Sequence, residues 1–205
     1  MSTISLAYGR PTLADRVIPR SLVTDMLLVV TGVLFTAAAA QVVIPIWPVP
    51  ITGQTLAVLL VGSALGAVRG AVSLAMYALV GLLGLPVFAP QDDGSHLTGF
   101  AALAAPSFGY IVGFILSAAL VGWIAERAGD RKVLGAALSF LGGTVATFAI
   151  GLPWLAITLG LSLESTLQFG LYPFIVGGVI KAAIAAVVIP GVWAIIARRD
   201  RGTTA

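Results

Sequence analysis

Lys181 lies deep in an apolar run, Phe174-Ile-Val-Gly-Gly-Val-Ile-Lys181-Ala-Ala-Ile-Ala-Ala-Val-Val-Ile189, in which no acidic side chain is present to neutralise it. The ten other Lys and Arg residues all stand at the margins of apolar segments. Ionisable groups inside a bilayer are costly and mark a pathway or a ligand site, so the chemistry expected of this ammonium is reception of an anion, a carboxylate above all. The structural alternatives are a lysine paired with Glu164, one that snorkels to the interface, and one held neutral by burial. Gly177 and Gly178 precede it and leave space beside the ammonium, although helix glycines also serve ordinary packing in membranes.

Other chemistry is poorly provided for. The chain has no cysteine, which removes disulfides, thiolate metal sites and cysteine nucleophiles, and the single His96 offers no cluster for a metal; neither metal nor cofactor is expected. The acids of the apolar spans stand at their ends (Asp25, Glu126), which leaves no aspartate pair for intramembrane proteolysis, and His96 has no nucleophile beside it and reads as a solvated loop histidine. No glycine-rich phosphate loop appears, so the chain is not expected to hydrolyse ATP, and uphill transport would draw on a partner or an ion gradient. The balance is against an enzyme. A Schiff-base role for Lys181 in a dry pocket is the catalytic alternative.

The elements that must position Lys181 follow from composition. With 59% hydrophobic and 9% charged residues over 205 positions, the chain reads as an integral membrane protein in contact with the bilayer. Apolar runs bounded by charge, Pro or Gly predict an all-α bundle of six transmembrane helices at roughly 22–43, 54–68, 70–86, 107–126, 133–152 and 172–197. The second and third are short for a hydrocarbon core about 30 Å thick and should be tilted or packed among longer neighbours. Residues 1–21 form an N-terminal segment with no removable signal peptide, 22–197 the membrane domain and 198–205 a C-terminal tail.

Arg10, Arg16, Arg20, Arg69, Arg127, Arg131, Lys132, Arg198, Arg199 and Arg201 all fall on one side of such a bundle, and loops 44–53, 87–106 and 153–171 carry no Lys or Arg. The positive-inside rule then places both termini in the cytoplasm of a multi-pass cell-membrane protein. The same reading assigns the formal charge of +3 to orientation, so no nucleic-acid partner is expected.

The loops opposite the arginines have content of their own. Ile44-Pro-Ile-Trp-Pro-Val-Pro-Ile-Thr-Gly53 is apolar yet rich in proline, which holds it extended; irregular backbone at membrane depth requires surrounding protein or a cavity, so it is expected to fold over the outer end. The second loop, with Asp92, Asp93, Gly94, Ser95 and His96, is long enough for a lid. In the third, Leu161-Ser-Leu-Glu164 fits a short helix, and Trp154 is either a site residue or an interfacial anchor. Gly32, Thr36 and Ala40 recur at intervals of four on the first helix, a spacing that fits either a docking face for another protein or internal packing. At 1.5 Å per residue Lys181, nine residues after Tyr172, lies roughly 13 Å below the outer end of the last helix.

From Leu34 to about Pro190 the chain resembles the substrate-binding S-components of energy-coupling factor (ECF) vitamin transporters, and among them the biotin-specific BioY proteins. The resemblance rests on Pro48-Val-Pro-Ile-Thr-Gly-Gln54-Thr-Leu-Ala-Val-Leu-Leu, Gly84-Leu-Pro-Val-Phe-Ala89, Gly109-Tyr110-Ile-Val-Gly113-Phe114, Pro153-Trp154-Leu-Ala with Gly160-Leu-Ser-Leu-Glu164, and Pro173-Phe174 with Lys181. It implies a vitamin cavity near the outer face in which Lys181 receives the carboxylate of biotin, with Gln54, Tyr110, Trp154, Phe88 and Ser107 around it. It also implies docking of helix one, through Gly32, Thr36 and Ala40, on a membrane coupling protein bound to two cytoplasmic ATPase subunits.

Three positions depart from the family pattern. Gly178 replaces an acid that generally stands one helical turn before the lysine, Pro90-Gln-Asp-Asp-Gly94 replaces a glycine-rich stretch, and Pro106-Ser-Phe-Gly-Tyr110 replaces Pro-Thr-Gly-Gly-Tyr. A site built to hydrogen-bond a group discriminates strongly against its absence, so the missing acid keeps lipoate or a biotin precursor as alternatives, with Asp92 or Asp93 as substitute acceptors from the loop. A carrier or channel that works without partners is the alternative outside this family.

Overall fold

The computed structural model describes residues 10–91 and 93–202, the last four by backbone alone. Among the described residues there are eight α-helices: α1 (Leu13–Val17), α2 (Leu22–Ala40), α3 (Gln54–Leu65), α4 (Ala67–Leu82), α5 (Phe108–Ala125), α6 (Val133–Leu159), α7 (Leu163–Gly170) and α8 (Tyr172–Gly202). Four of them, α2, α5, α6 and α8, are long and apolar enough to cross a membrane, and α3 and α4 are shorter apolar helices. Between α2 and α3 a two-residue hairpin, β1 (Val43–Ile44) with β2 (Ile51–Thr52), pairs Val43 with Thr52 and Ile44 with Ile51. The expected all-α architecture holds apart from that hairpin.

Local chemistry explains most boundaries. Ser21 caps α2 by accepting from the Thr24 amide, and the Gly-Pro-rich sequence after Gln41 offers no further helical turn. Only Gly66 separates α3 from α4; its φ of +90° suits glycine, and the Ala67 amide that opens α4 donates to Glu126 Oε1 at 2.9 Å. That contact puts a carboxylate on a helix N-terminus from the far end of α5.

Helix α5 lies at the centre of the bundle and packs against α3, α4 and α6. Small residues make this possible. A Cβ at Gly62 would stand 2.7 Å from the Ala118 carbonyl oxygen and one at Gly113 would stand 2.5 Å from that of Thr147, so both crossings bring backbone against backbone.

Three expectations are corrected. The predicted loop 153–171 is mostly helical: α6 runs through Pro153 to Leu159, ends at left-handed Gly160, and α7 follows at Leu163. Proline lacks the amide that would continue the ladder, but bundle helices tolerate the loss where neighbours surround them. Arg69 is not in a connecting loop; it belongs to α4 and is only 1% exposed. The stripe Gly32, Thr36 and Ala40 faces inward, because a Cβ at Gly32 would meet Ser73 and Val61, and Thr36 and Ala40 are completely buried. Of the two uses its spacing allows, internal packing is the one seen.

Arg69 organises the end of the bundle opposite the hairpin. Its Nη2 meets Asp15 Oδ1 at 2.9 Å, Nη1 meets Asp25 Oδ1 at 3.2 Å, and Nε donates to the Leu65 carbonyl at 2.7 Å. Asp15 also accepts from Arg20 Nη2 and from the Thr12 amide, both at 2.9 Å. Burial would push the Asp15 carboxyl up, but these donors and the Arg69 charge hold it below the usual carboxylate range. The network pins α1 against the bundle.

Candidate functional site

At the hairpin end a cavity opens between the helices, about 720 Å³ when the open solvent at its mouth is included. The walls come from α3, α5, α6 and α8, and the roof from the hairpin loop and the segment after α4: Val49 and Pro50 from the first, Phe88 and Gln91 from the second. The expected folding of the proline-rich loop over this end is therefore what the structure has, and Val49 is only 4% exposed there. His96 lies in the loop, partly exposed, and its Nδ1 is 2.8 Å from the Phe88 carbonyl oxygen, a contact within the roof segment.

Lys181 enters the cavity from α8. Its Nζ donates to the Thr52 carbonyl at 2.5 Å and to Thr55 Oγ1 at 3.0 Å. Both acceptors are neutral, and among the described residues no acidic one lines the cavity. Among the described residues no carboxylate forms an ion pair with Lys181, which removes the Glu164 alternative. An ammonium has three donors; two are used, and the full charge remains without a counterion.

The other predicted residues fall into three groups. Gln54, Phe88, Ser107 and Tyr110 line the cavity with Lys181. Two of them already make hydrogen bonds inside the protein: Gln54 Nε2 donates one of its two hydrogens to Tyr77 Oη at 2.7 Å while its Oε1 accepts from Thr52 Oγ1 at 2.9 Å, and Tyr110 Oη donates to the Gly170 carbonyl at 2.8 Å. Tyr77 in turn donates to the Val87 carbonyl at 3.0 Å, so Gln54 couples α3 to α4 and to the roof. Trp154 stands behind the wall; its indole N–H donates to the Ala105 carbonyl at 3.1 Å and its ring supports Phe108 at 5.8 Å. Gly178 lines a different surface, an apolar groove between α6 and α8, with nothing near a Cβ built on it.

Asp93 does not replace the missing acceptor inside. It is exposed and borders an outer groove, and its Oδ1 accepts from the Ser95 hydroxyl and amide at 2.6 and 2.9 Å, bonds that hold the carboxyl below its ordinary range. Asp92 lies outside the described residues. Residues that sequence reasoning passed over include Thr52 and Thr55, the acceptors of Lys181, and Phe148 and Phe174. Thr52 and Thr55 adjoin Gln54 in a motif that was recognised, whereas nothing in the apolar run of α6 singled out Phe148.

Chemically the cavity has two unlike sides. Lys181 with Thr52 and Thr55 forms a cationic polar corner, and Tyr110 with Phe148 and Phe174 forms an aromatic wall, its rings 5.7–6.1 Å apart. Such an arrangement holds a small molecule with an anionic end and an apolar or ring-bearing body. No proton-transfer pair accompanies Lys181.

Comparison with known proteins agrees with this geometry. Residues 11–198 match the model of the BioY family. A protein of Rhizobium etli named biotin transporter BioY is 37% identical over 146 residues, 68% of this chain and 75% of its own length. A probable biotin transporter BioY of Pyrococcus horikoshii is 35% identical over 181 residues, 88% of this chain and 98% of its own. Both names describe transport rather than catalysis. The crystal structure of an S-component for biotin from an ECF-type ABC transporter superposes with a TM-score of 0.73 at 25% identity, covering 84% of this chain and 92% of that one. With the family model matching residues 11–198 and relatives 37% and 35% identical over 68% and 88% of its length, this helical membrane bundle belongs to the BioY family.

Proposed function

We propose that this protein is the substrate-binding membrane subunit of an ECF-type transporter for biotin, and that Lys181 receives the ligand's carboxylate. The observation that carries this reading is the Lys181 ammonium, presented to the cavity by two neutral oxygens with its charge unmatched. The names of the relatives supply the vitamin. The valeryl carboxylate would take the cationic corner and the fused ring the aromatic wall, while Ser107, Gln91 and the free amide hydrogen of Gln54 are the polar groups left for the ureido head. Among the described residues no carboxylate acceptor for the urea N–H groups lines the cavity, which keeps lipoate, with the same tail and no urea, as the second reading. Titration calorimetry on purified protein with biotin, dethiobiotin and lipoate separates them: biotin tightest is the expected order, lipoate tightest moves the assignment, and folded protein that binds none of the three ends it.

In this proposal α2, α3, α4, α5, α6 and α8 are six spans, and the arginine-bearing end, with both termini, faces the cytoplasm. The shortness of α3 and α4 is accommodated by their burial among longer neighbours. Cysteines placed at Gly94 and Arg127 and probed with an impermeant reagent in whole cells should label at Gly94 alone; labelling at Arg127 alone reverses the orientation. A membrane coupling protein with two ATPase subunits would complete the transporter. Because Gly32, Thr36 and Ala40 face inward, the α2 surface left for it is the exposed row Leu27, Thr31, Leu34 and Ala38. Recovery of such partners with the tagged protein from native membranes supports the assembly, and ligand accumulation in cells without them supports an independent carrier.

A further inference from the structure

Of the two oxygens that hold Lys181, only one has anything left to give. The Thr52 carbonyl accepts at 2.5 Å and can do nothing else, so it aims the ammonium and would repel an anion. Thr55 Oγ1 accepts from the same ammonium at 3.0 Å and keeps a hydrogen of its own. Thr55 is half-buried and lines the cavity beside Lys181.

Other helical threonines of this chain spend that hydrogen on their own helix. Thr31, Thr36, Thr144, Thr147, Thr158 and Thr166 each donate to the carbonyl four residues back, at 2.8–3.2 Å. Thr55 is the second residue of α3, so no helical turn stands before it; the residue four back, Ile51, belongs to β2 and pairs with Ile44. Among the described residues no acceptor takes the Thr55 hydroxyl hydrogen, and its one hydrogen bond is the one it accepts from Lys181.

We infer that Thr55 is a specificity-determining residue that donates its hydroxyl hydrogen to the ligand's carboxylate, so that the acid is held by the Lys181 ammonium on one oxygen and by Thr55 on the other. The inference rests on the reading of Lys181 as the carboxylate's cation, but not on the ligand's head, because biotin and lipoate share the tail. Two donors 3.0 Å apart face the two oxygens of one carboxylate, which is an acceptor only. The hydroxyl accepts from an ammonium while it donates, and members of such a chain polarise one another. A hydrogen bond to an ionised acceptor is roughly twice as strong as one to a neutral acceptor. The pair therefore favours an ionised tail over an ester more than Lys181 alone does.

The test is titration calorimetry of the detergent-purified protein with biotin and with its methyl ester, on wild type, Thr55→Val, Thr55→Ser and Lys181→Ala; lipoate and its ester replace the pair if lipoate binds tighter. Thr55→Val keeps the shape, removes the hydroxyl and leaves Lys181 its bond to the Thr52 carbonyl. Affinity for the acid should fall about tenfold and for the ester about threefold or less, and Thr55→Ser should restore the acid. Equal losses for acid and ester overturn the inference. A loss in Lys181→Ala with none in Thr55→Val sinks this inference alone, whereas no loss in Lys181→Ala sinks the reading beneath it as well. Infrared spectra of saturating ligand, isotopically labelled at the carboxylate, tell contact from aim. The asymmetric carboxylate stretch should move in Thr55→Val and return in Thr55→Ser; a band that stays in place means that the hydroxyl only aims the lysine, and the inference fails. Should Thr55→Val not fold, Thr55→Ala carries the same comparisons with the same outcomes.

Discussion

Two cations, Arg69 buried and Lys181 half-buried, stand at opposite ends of α3 and are treated in opposite ways. Arg69 bonds to the last turn of α3 and is met by Asp15 and Asp25 within 3.2 Å; Lys181 bonds to the first turn and is met by a carbonyl and a hydroxyl. The first is a closed account of charge, with guanidinium, carboxylates and the Thr12 hydroxyl all satisfied inside the protein. The second is left open. Burial of an ion without its counterion is costly, so the difference teaches that Arg69 organises the fold while Lys181 is kept available for something that arrives.

The largest effect should come from opening the closed end. Arg69→Met leaves Asp15 and Asp25 buried beside an apolar chain and should cost about 3–5 kcal/mol of stability, read as a much lower Tm, with ligand affinity of the folded fraction near wild type. An unaltered Tm would collapse the contrast between the two ends. Lys181→Ala should do the reverse: stability should change little, while the free energy of carboxylate binding falls by about 2–5 kcal/mol. The methyl ester of the same ligand, already a weak binder, should lose far less, and equal losses for acid and ester would argue against a carboxylate contact.

Acid should act on the arginine end first. Asp15 has its folded pKa depressed, so its contribution is present above the unfolded carboxyl range and is lost as pH falls through the folded value. Thermal melts between neutral pH and pH 3 should show that loss, and Asp15→Asn should flatten it while costing about 1–3 kcal/mol at neutral pH. Parallel pH profiles for the two proteins would remove Asp15 from the network's role. The smallest effect is expected from Tyr110→Phe, which deletes the bond to the Gly170 carbonyl and should cost about 1 kcal/mol of stability. Affinity should hardly change, because that hydroxyl is committed to the protein; a large affinity loss would instead place it on the ligand.

Much of this was legible in the chain, for reasons that are local. Hydropathy over long windows finds α2, α5, α6 and α8 because a helix that faces lipid must be apolar nearly all round. Even α3 and α4 show, as two apolar runs parted close to Gly66. Lys181 is visible because a charge in such a run is rare. The reading failed where a residue's meaning depends on what lies across a helix interface. Gly32, Thr36 and Ala40 have the spacing of a docking stripe whichever way the helix faces, and only packing against Ser73 and Val61 turned them inward. Arg69 looked like a topological marker until Asp15 and Asp25, 54 and 44 residues away, closed around it.

By itself the sequence determined that the protein is a membrane bundle carrying one deeply placed ammonium, since hydrophobic length and charge distribution are properties of single segments. The tertiary structure alone decided what each charge faces. Gly178 lies one turn from Lys181 yet borders the α6–α8 groove, while Thr52 and Thr55, more than 120 residues away, hold the ammonium. Electrostatic compensation is a matter of distances of a few ångströms, and only the folding of the hairpin and α3 against α8 set those distances.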